Sequence, residues 1–325
     1  MRLKSTRGGV LLAVLWLSAA LAAIAFSLAN TVRGETERAS TAVDGLRSYY
    51  LATAGVQRGI LYMDWGRKHP EIARFKPPGT SYIFQFPTGQ AVVEVIPETA
   101  KFNLNTSPGE DLFRLLLNLG VDAGRAQQIV AAIVDWRGGA ATNVASAGHQ
   151  SMLQPMGPPH AHFAEVEELL AVRGVTPDIF YGSWEHAPEG AAQRLYQRTG
   201  LRDCVSIFGA TDQFDANTAP PAVLAALGIP PDVVMAMVQQ RRVRAFLNAG
   251  DLAPFAQSAG PGFGRLRVGG YSIFTLRATA RLRLPNGQFS DLRRTVAAQV
   301  KLMPLGYDAS YHILRWYDNA TAPEP

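Results

Sequence analysis

Polar and apolar residues fall along this chain in distinct regimes. From Val10 to Ala29 no charged residue occurs, and hydroxyls appear only at Ser18 and Ser27. Such a run, rising about 1.5 Å per residue, spans about 30 Å, one bilayer core. Beyond Thr31 apolar positions recur at helical spacing: Val43, Leu46, Tyr50 (or Leu51), Ala54, Ile60 and Leu61, with no proline before Pro70. This predicts one long helix over 10–66, with 10–29 crossing a membrane and the rest lying against a globular head.

The pattern then changes period. "YIFQF" (82–86) and "AVVEVI" (91–96) are β-rich and separated by Pro-Thr-Gly, which predicts a hairpin. From Asn103 to about Phe214 the patterns are helical. Strand character returns in "GYSIFTLRATARLRL" (270–284), and Asn286-Gly287 suits a hairpin turn before "FSDLRRTVAAQVKLM". The tail "NATAPEP" is expected to be loose. Within the helical stretch lies a near-repeat: "KFNLNTSPGEDLFRLLLNLGV" from Lys101 and "QFDANTAPPAVLAALGIPPDVV" from Gln213. Asn105, Thr106 and Pro108 correspond to Asn217, Thr218 and Pro220. Both read as helix starts, with Ser107 as cap, Pro108 at the first helical position and Glu110 completing Ser-x-x-Glu. Turns at "NLGV", "AVRGV" and "ALGI" give the segments a helix-hairpin-helix look.

Composition and charge narrow the picture. The 325 residues are 47% hydrophobic and 18% charged, a globular balance with room for two domains. Of the net charge of +5, Arg2, Lys4 and Arg7 supply three positives ahead of the apolar run. The basic excess is therefore mostly a membrane-orientation signal that keeps the N-terminus cytoplasmic. A single cysteine, Cys204, excludes an intramolecular disulfide and a cysteine-based zinc framework.

Two processing sites compete. A secretory cut fits after Ala25 or Ala29. The other cut, between Gly9 and Val10, keeps the apolar helix, and the unbroken amphipathic continuation favours it. A basic leader ending in glycine before a long apolar helix resembles a type IV prepilin leader. The fifth residue after that cut is Val14, where most pilins have glutamate. An unpaired carboxylate at mid-bilayer costs about 2.5–3.5 kcal/mol on insertion scales, so a subunit with no neighbour above it has no use for one. With the near-repeat, "AQQIVAAIVDWRGG" and "HFAEVEELLAVRGVTPDIFYG" in that order, the chain resembles the minor pseudopilin K (GspK) family of the type II secretion system.

The resemblance implies an α+β protein: a leader over 1–9, the long helix, a pseudopilin head from 67–102 and 215–325 with strands near 82–96 and 270–303, and an inserted α-helical domain over 103–214. The second helix-hairpin-helix-like unit extends to about 255. It further implies a non-enzymatic role at the pseudopilus tip in export of folded proteins, with the chain single-pass in the inner membrane and its head periplasmic. Expected partners are the minor pseudopilins I and J (GspI, GspJ), major pseudopilin G, the prepilin peptidase, the assembly platform and possible secreted substrates. Ala19, Ala20, Ala22, Ala23 and Ala25 would let membrane helices approach closely. Family members carry calcium in the helical domain, but here Arg137-Gly138-Gly139 follows Asp135-Trp136 and supplies no side-chain carboxylate. Asp135, Glu165, Glu167 and Glu168 are left as weak candidates, and no metal site or cofactor is assigned. The rival is a membrane-anchored helix-hairpin-helix DNA-binding protein of a DNA-uptake system. Its hairpins would need Gly-x-Gly with nearby cations, and these lack the former. Arg241, Arg242 and Arg244 form the one basic run near them, and no nucleic acid is expected. No hydrolase, zincin, P-loop or dinucleotide motif occurs, and His160 and His162 lack the carboxylate company of a metal site.

Overall fold

The computed structural model describes residues 7–69, 81–138, 160–186, 195–270 and 272–320. Residues 1–6, 139–159 and the tail from Thr321 are among those outside them. Helix α1 (Arg7–Lys68) runs unbroken for 62 residues, about 93 Å at 1.5 Å per residue. The hairpin β1 (Ser81–Phe86) and β2 (Gly89–Pro97) follows. The chain then leaves the sheet through β3 (Phe102–Asn103), α2 (Gly109–Asn118), α3 (Ala123–Trp136), α4 (Pro177–Tyr181), β4 (Trp184–His186), β5 (Leu195–Gln197) and β6 (Val205–Ser206). It continues through β7 (Phe214–Asp215), α5 (Pro221–Ala226), α6 (Pro231–Val243) and β8 (Leu266–Arg267). It returns as β9 (Ile273–Arg283), β10 (Phe289–Leu302) and β11 (Tyr311–Tyr317).

The head is an antiparallel sheet in the order β1-β2-β9-β10-β11, with α1 packed across one face. The face α1 uses bears out part of the sequence reading, Leu51 and Ile60, and corrects the rest. Val43, Leu46, Tyr50 and Leu61, the large apolar residues that set the helical period, are exposed. The buried row is Gly45, Ser48, Leu51, Ala52, Gly55, Val56, Gly59 and Ile60. Close packing explains the choice: a Cβ on Gly55 would lie 2.7 Å from the Ala91 methyl, and one on Gly59 3.1 Å from Val93 Cγ1. The sheet answers with its own small residues, Ala91, Ala278, Ala280 and Ala298, all buried. Where two backbones approach this closely, bulky side chains are excluded and turn outward.

Both ends of this contact are fastened. At the far end, Asp64 accepts from Arg67 (2.9 Å) and Lys68 (2.6 Å), while Arg67 also donates to the Met303 carbonyl and Lys68 to Ser310 Oγ. Nearer the apolar segment, Asp318 accepts from the Tyr49 hydroxyl (2.7 Å) and Trp316 Nε1 (2.9 Å).

The helical lobe has its own core. Buried residues from Ala100 to Ala259 form one cluster, with Leu266 and Val268 packed against it, and the head residues form another. The expected return to the head at 215 is therefore corrected, and the extension of the second unit to about 255 lies nearer the observed boundary: the chain stays in the lobe until about Val268, because Phe214, Val223, Leu224, Val234 and Met237 pack with the first repeat. Strand β11 went unread in the sequence; "YHILRWY" shows no in–out alternation because the strand is largely exposed at the sheet edge.

Candidate membrane anchor and assembly surface

The near-repeat is a repeat in three dimensions. Asn105 Nδ2 donates to the Phe163 carbonyl (3.1 Å), and its Oδ1 accepts from Phe163 N–H (2.8 Å). Asn217 makes the same pair with Phe246, at 2.9 and 2.8 Å. Arg137 donates to the Leu104 and Ser107 carbonyls, both at 3.0 Å; Arg241 donates to those of Ala216 (3.0 Å) and Ala219 (2.8 Å). Phe102 and Phe214 meet edge-on, 4.9 Å between ring centres. The parallel pairs β3–β6 and β7–β8 close the two units. In each, a glycine with positive φ, Gly120 (75°) or Gly228 (90°), turns one helix into the next.

These contacts revise the motif's role. Ser107 does not cap α2: its hydroxyl is buried without a hydrogen-bond partner among the described residues, and Pro108 stands at the cap position. Pro220 does the same for α5. Thr106 Oγ1 meets Thr211 Oγ1 (2.9 Å), and Thr218 Oγ1 donates to Asp215 (2.7 Å). The asparagines are not helix starters but clamps on a distant backbone. Arg241 is likewise structural, and burial lowers its guanidinium pKa, as it does that of Arg137. Burial pushes the Asp215 carboxyl up, against hydrogen bonds from Thr218, Gly269 and Asn217.

The calcium candidates do not converge. Glu165 pairs with Arg315 (2.9 Å), Glu168 accepts from Ala164 N–H (3.3 Å), and Asp135 lies beside His160, whose Nδ1 donates to the Asp135 carbonyl (3.1 Å). Among the described residues no three His, Cys, Asp or Glu side chains are grouped to hold a metal. Cys204 is fully buried, and desolvation pushes its thiol pKa up, so it presents no nucleophile.

At the other end of the molecule, the first part of α1 stands alone. Val10, Leu11, Leu15, Trp16, Leu21, Ile24 and Leu28 are all exposed, and this helix is long and apolar enough to cross a membrane. Gly9 lies in the first turns with nothing within 4 Å of a Cβ position. Ala19, Ala22 and Ala23 share one side of the helix by their spacing, whereas Ala20 and Ala25 point away from it. Above the membrane segment, exposed Val43, Leu46, Tyr50, Leu61 and Trp65 continue as an apolar stripe opposite the sheet.

An apolar anchoring helix carried without a break onto an antiparallel sheet defines a membrane-anchored, pilin-like protein, here with a helical lobe inserted into the sheet. Residues 100–181 match one sequence model of the type II secretion system (T2SS) protein K, and residues 214–269 match a second model of the same description. Both models describe protein K of the type II secretion system, and both matched segments fall in the helical lobe. No curated protein matches it. Its fold is similar to that of a chain in the crystal structure of the GspK–GspI–GspJ complex from enterotoxigenic Escherichia coli, with a TM-score of 0.59 and 15% identity, over 88% of this chain and 100% of that one.

Proposed function

We propose that this chain is a minor pseudopilin that joins proteins I and J and caps the pseudopilus tip in protein export. One observation carries the reading. The lobe leaves the sheet after β2 and rejoins it before β9, and Pro97 and Phe274 are partners across those strands. That pair lies at the end of the sheet away from the apolar segment, since rising along α1 from Gly55 to Gly59 carries its contacts from Ala278 to Leu276. A lobe in that place occupies the space a next subunit would need.

The same reading places the N-terminus in the cytoplasm and the head in the periplasm. It has the prepilin peptidase cut between Gly9 and Val10, leaving an apolar N-terminus with Val14 where pairing with a neighbour's amine is not needed. The partners come from the related complex, which contains GspI and GspJ. Its test is the full chain expressed with its prepilin peptidase and proteins I and J. The expected result is a chain beginning at Val10 by mass, co-purifying with I and J and labelled by gold at filament ends. A chain beginning near Phe26 or Asn30, or gold distributed along the shaft, would overturn it.

A further inference from the structure

Where α1 leaves the head, a groove of about 930 Å³ opens between it and the lower end of the sheet. Arg38, Ala42 and Leu46 line one wall; Arg294 and Asp318 line the other. Arg294 is out of character for its row. It pairs across the sheet with Ala280 and precedes Val296 and Ala298, the residues that pack against α1. Its guanidinium instead hangs beside Gly45, with Nη2 3.7 Å from where a Cβ would lie.

The acids nearby are already engaged. Glu37 pairs with Arg33 at 3.0 Å, and Asp318 accepts from Tyr49 and Trp316. The Arg294 guanidinium makes no hydrogen bond or ion pair with any described residue. The groove thus offers a forked cation with its five N–H donors unclaimed by protein, next to Leu46, which also belongs to the exposed apolar stripe.

We propose that this groove seats a neighbouring pilin-like subunit, which presents an Asp or Glu to Arg294 and apolar side chains to Val43 and Leu46. This rests on the minor-pseudopilin reading and names the surface by which the partner is held. Charge complementarity selects the carboxylate, and continuity with the stripe selects a protein surface. A lipid phosphate is too low: Gly45 lies about 24 Å along α1 above Ala29, whereas the headgroup layer is only about 5–7 Å thick.

The test uses the full chain co-expressed with proteins I and J, as wild type, Arg294→Glu, Arg294→Lys and the lobe control Arg242→Glu. A photo-crosslinking residue is placed at Ala42 in parallel. Arg294→Glu is expected to cut recovered partner at least about tenfold, because like charges then face each other. Arg294→Lys keeps most of the recovery, Arg242→Glu all of it, and the crosslink from position 42 reaches I or J. Equal recovery with Arg294→Glu, or a crosslink from position 42 to lipid, overturns the groove assignment while leaving the pseudopilin reading intact. Failure of the wild type to recover I or J defeats that underlying reading instead.

Discussion

Asn217 and Asn105 each satisfy both backbone groups of a phenylalanine that follows at a different distance in the two repeats. Their importance was legible in the sequence as a shared Asn-Thr-x-Pro; their task was not, because a clamp on Phe246 or Phe163 depends on where a later loop returns. Asn217→Ala strands the Phe246 N–H and carbonyl in a buried site and is expected to cost about 2–4 kcal/mol, read as a lower urea midpoint. A change within error would show that the paired bonds do not hold the lobe. Asp64 offers a test with a sign. Burial alone raises its carboxyl pKa, but hydrogen bonds and charge from Lys68 and Arg67 outweigh this and hold it below 3.8. A depressed carboxylate favours folding above its unfolded value and loses that contribution as the pH falls through its folded value. Asp64→Asn is therefore expected to lower the urea midpoint at pH 7, with the gap to wild type narrowing below pH 3.8. A gap independent of pH would mean that the ion pairs contribute nothing.

Among the elements, α1 separates what a sequence discloses from what it conceals. Its length, its membrane segment and its continuity follow from the missing charges and prolines. Its packing face follows only in part, through Leu51 and Ile60, because the large Leu46 and Tyr50 face outward whereas the sheet takes Gly55 and Gly59. Gly55→Leu is expected to destabilise by about 1–3 kcal/mol through overpacking against Ala91. Leu46→Ser, on the opposite side, should stay within about 0.5 kcal/mol in the isolated protein. Thermal unfolding of the two variants decides the matter: the reverse order would put the large residues in the core. The sheet was half legible for a similar reason. Strands β2 and β9 alternate cleanly between faces, but β11 at the edge has little buried side to write into its sequence.

At the scale of the whole molecule, two cores are joined through the strand ends at Pro97 and Phe274, with the Arg315–Glu165 pair and the Arg315 bond to the Ala164 carbonyl beside them. The lobe's extent escaped the sequence because Phe214 to Val268 completes a duplicated unit, and only packing shows which half of a duplication a segment belongs to. The placement of the junction has a mechanical consequence. A force rising through α1 passes into the sheet along the helix–sheet contact and leaves through two neighbouring, mutually hydrogen-bonded strands. The load acts along the strands, so the packing contacts between α1 and the sheet are sheared together rather than peeled one at a time. The glycine–alanine seam and the Asp64–Arg67–Lys68 fastening at its upper end share that load, and the same arrangement that carries the lobe makes the head a strut for it.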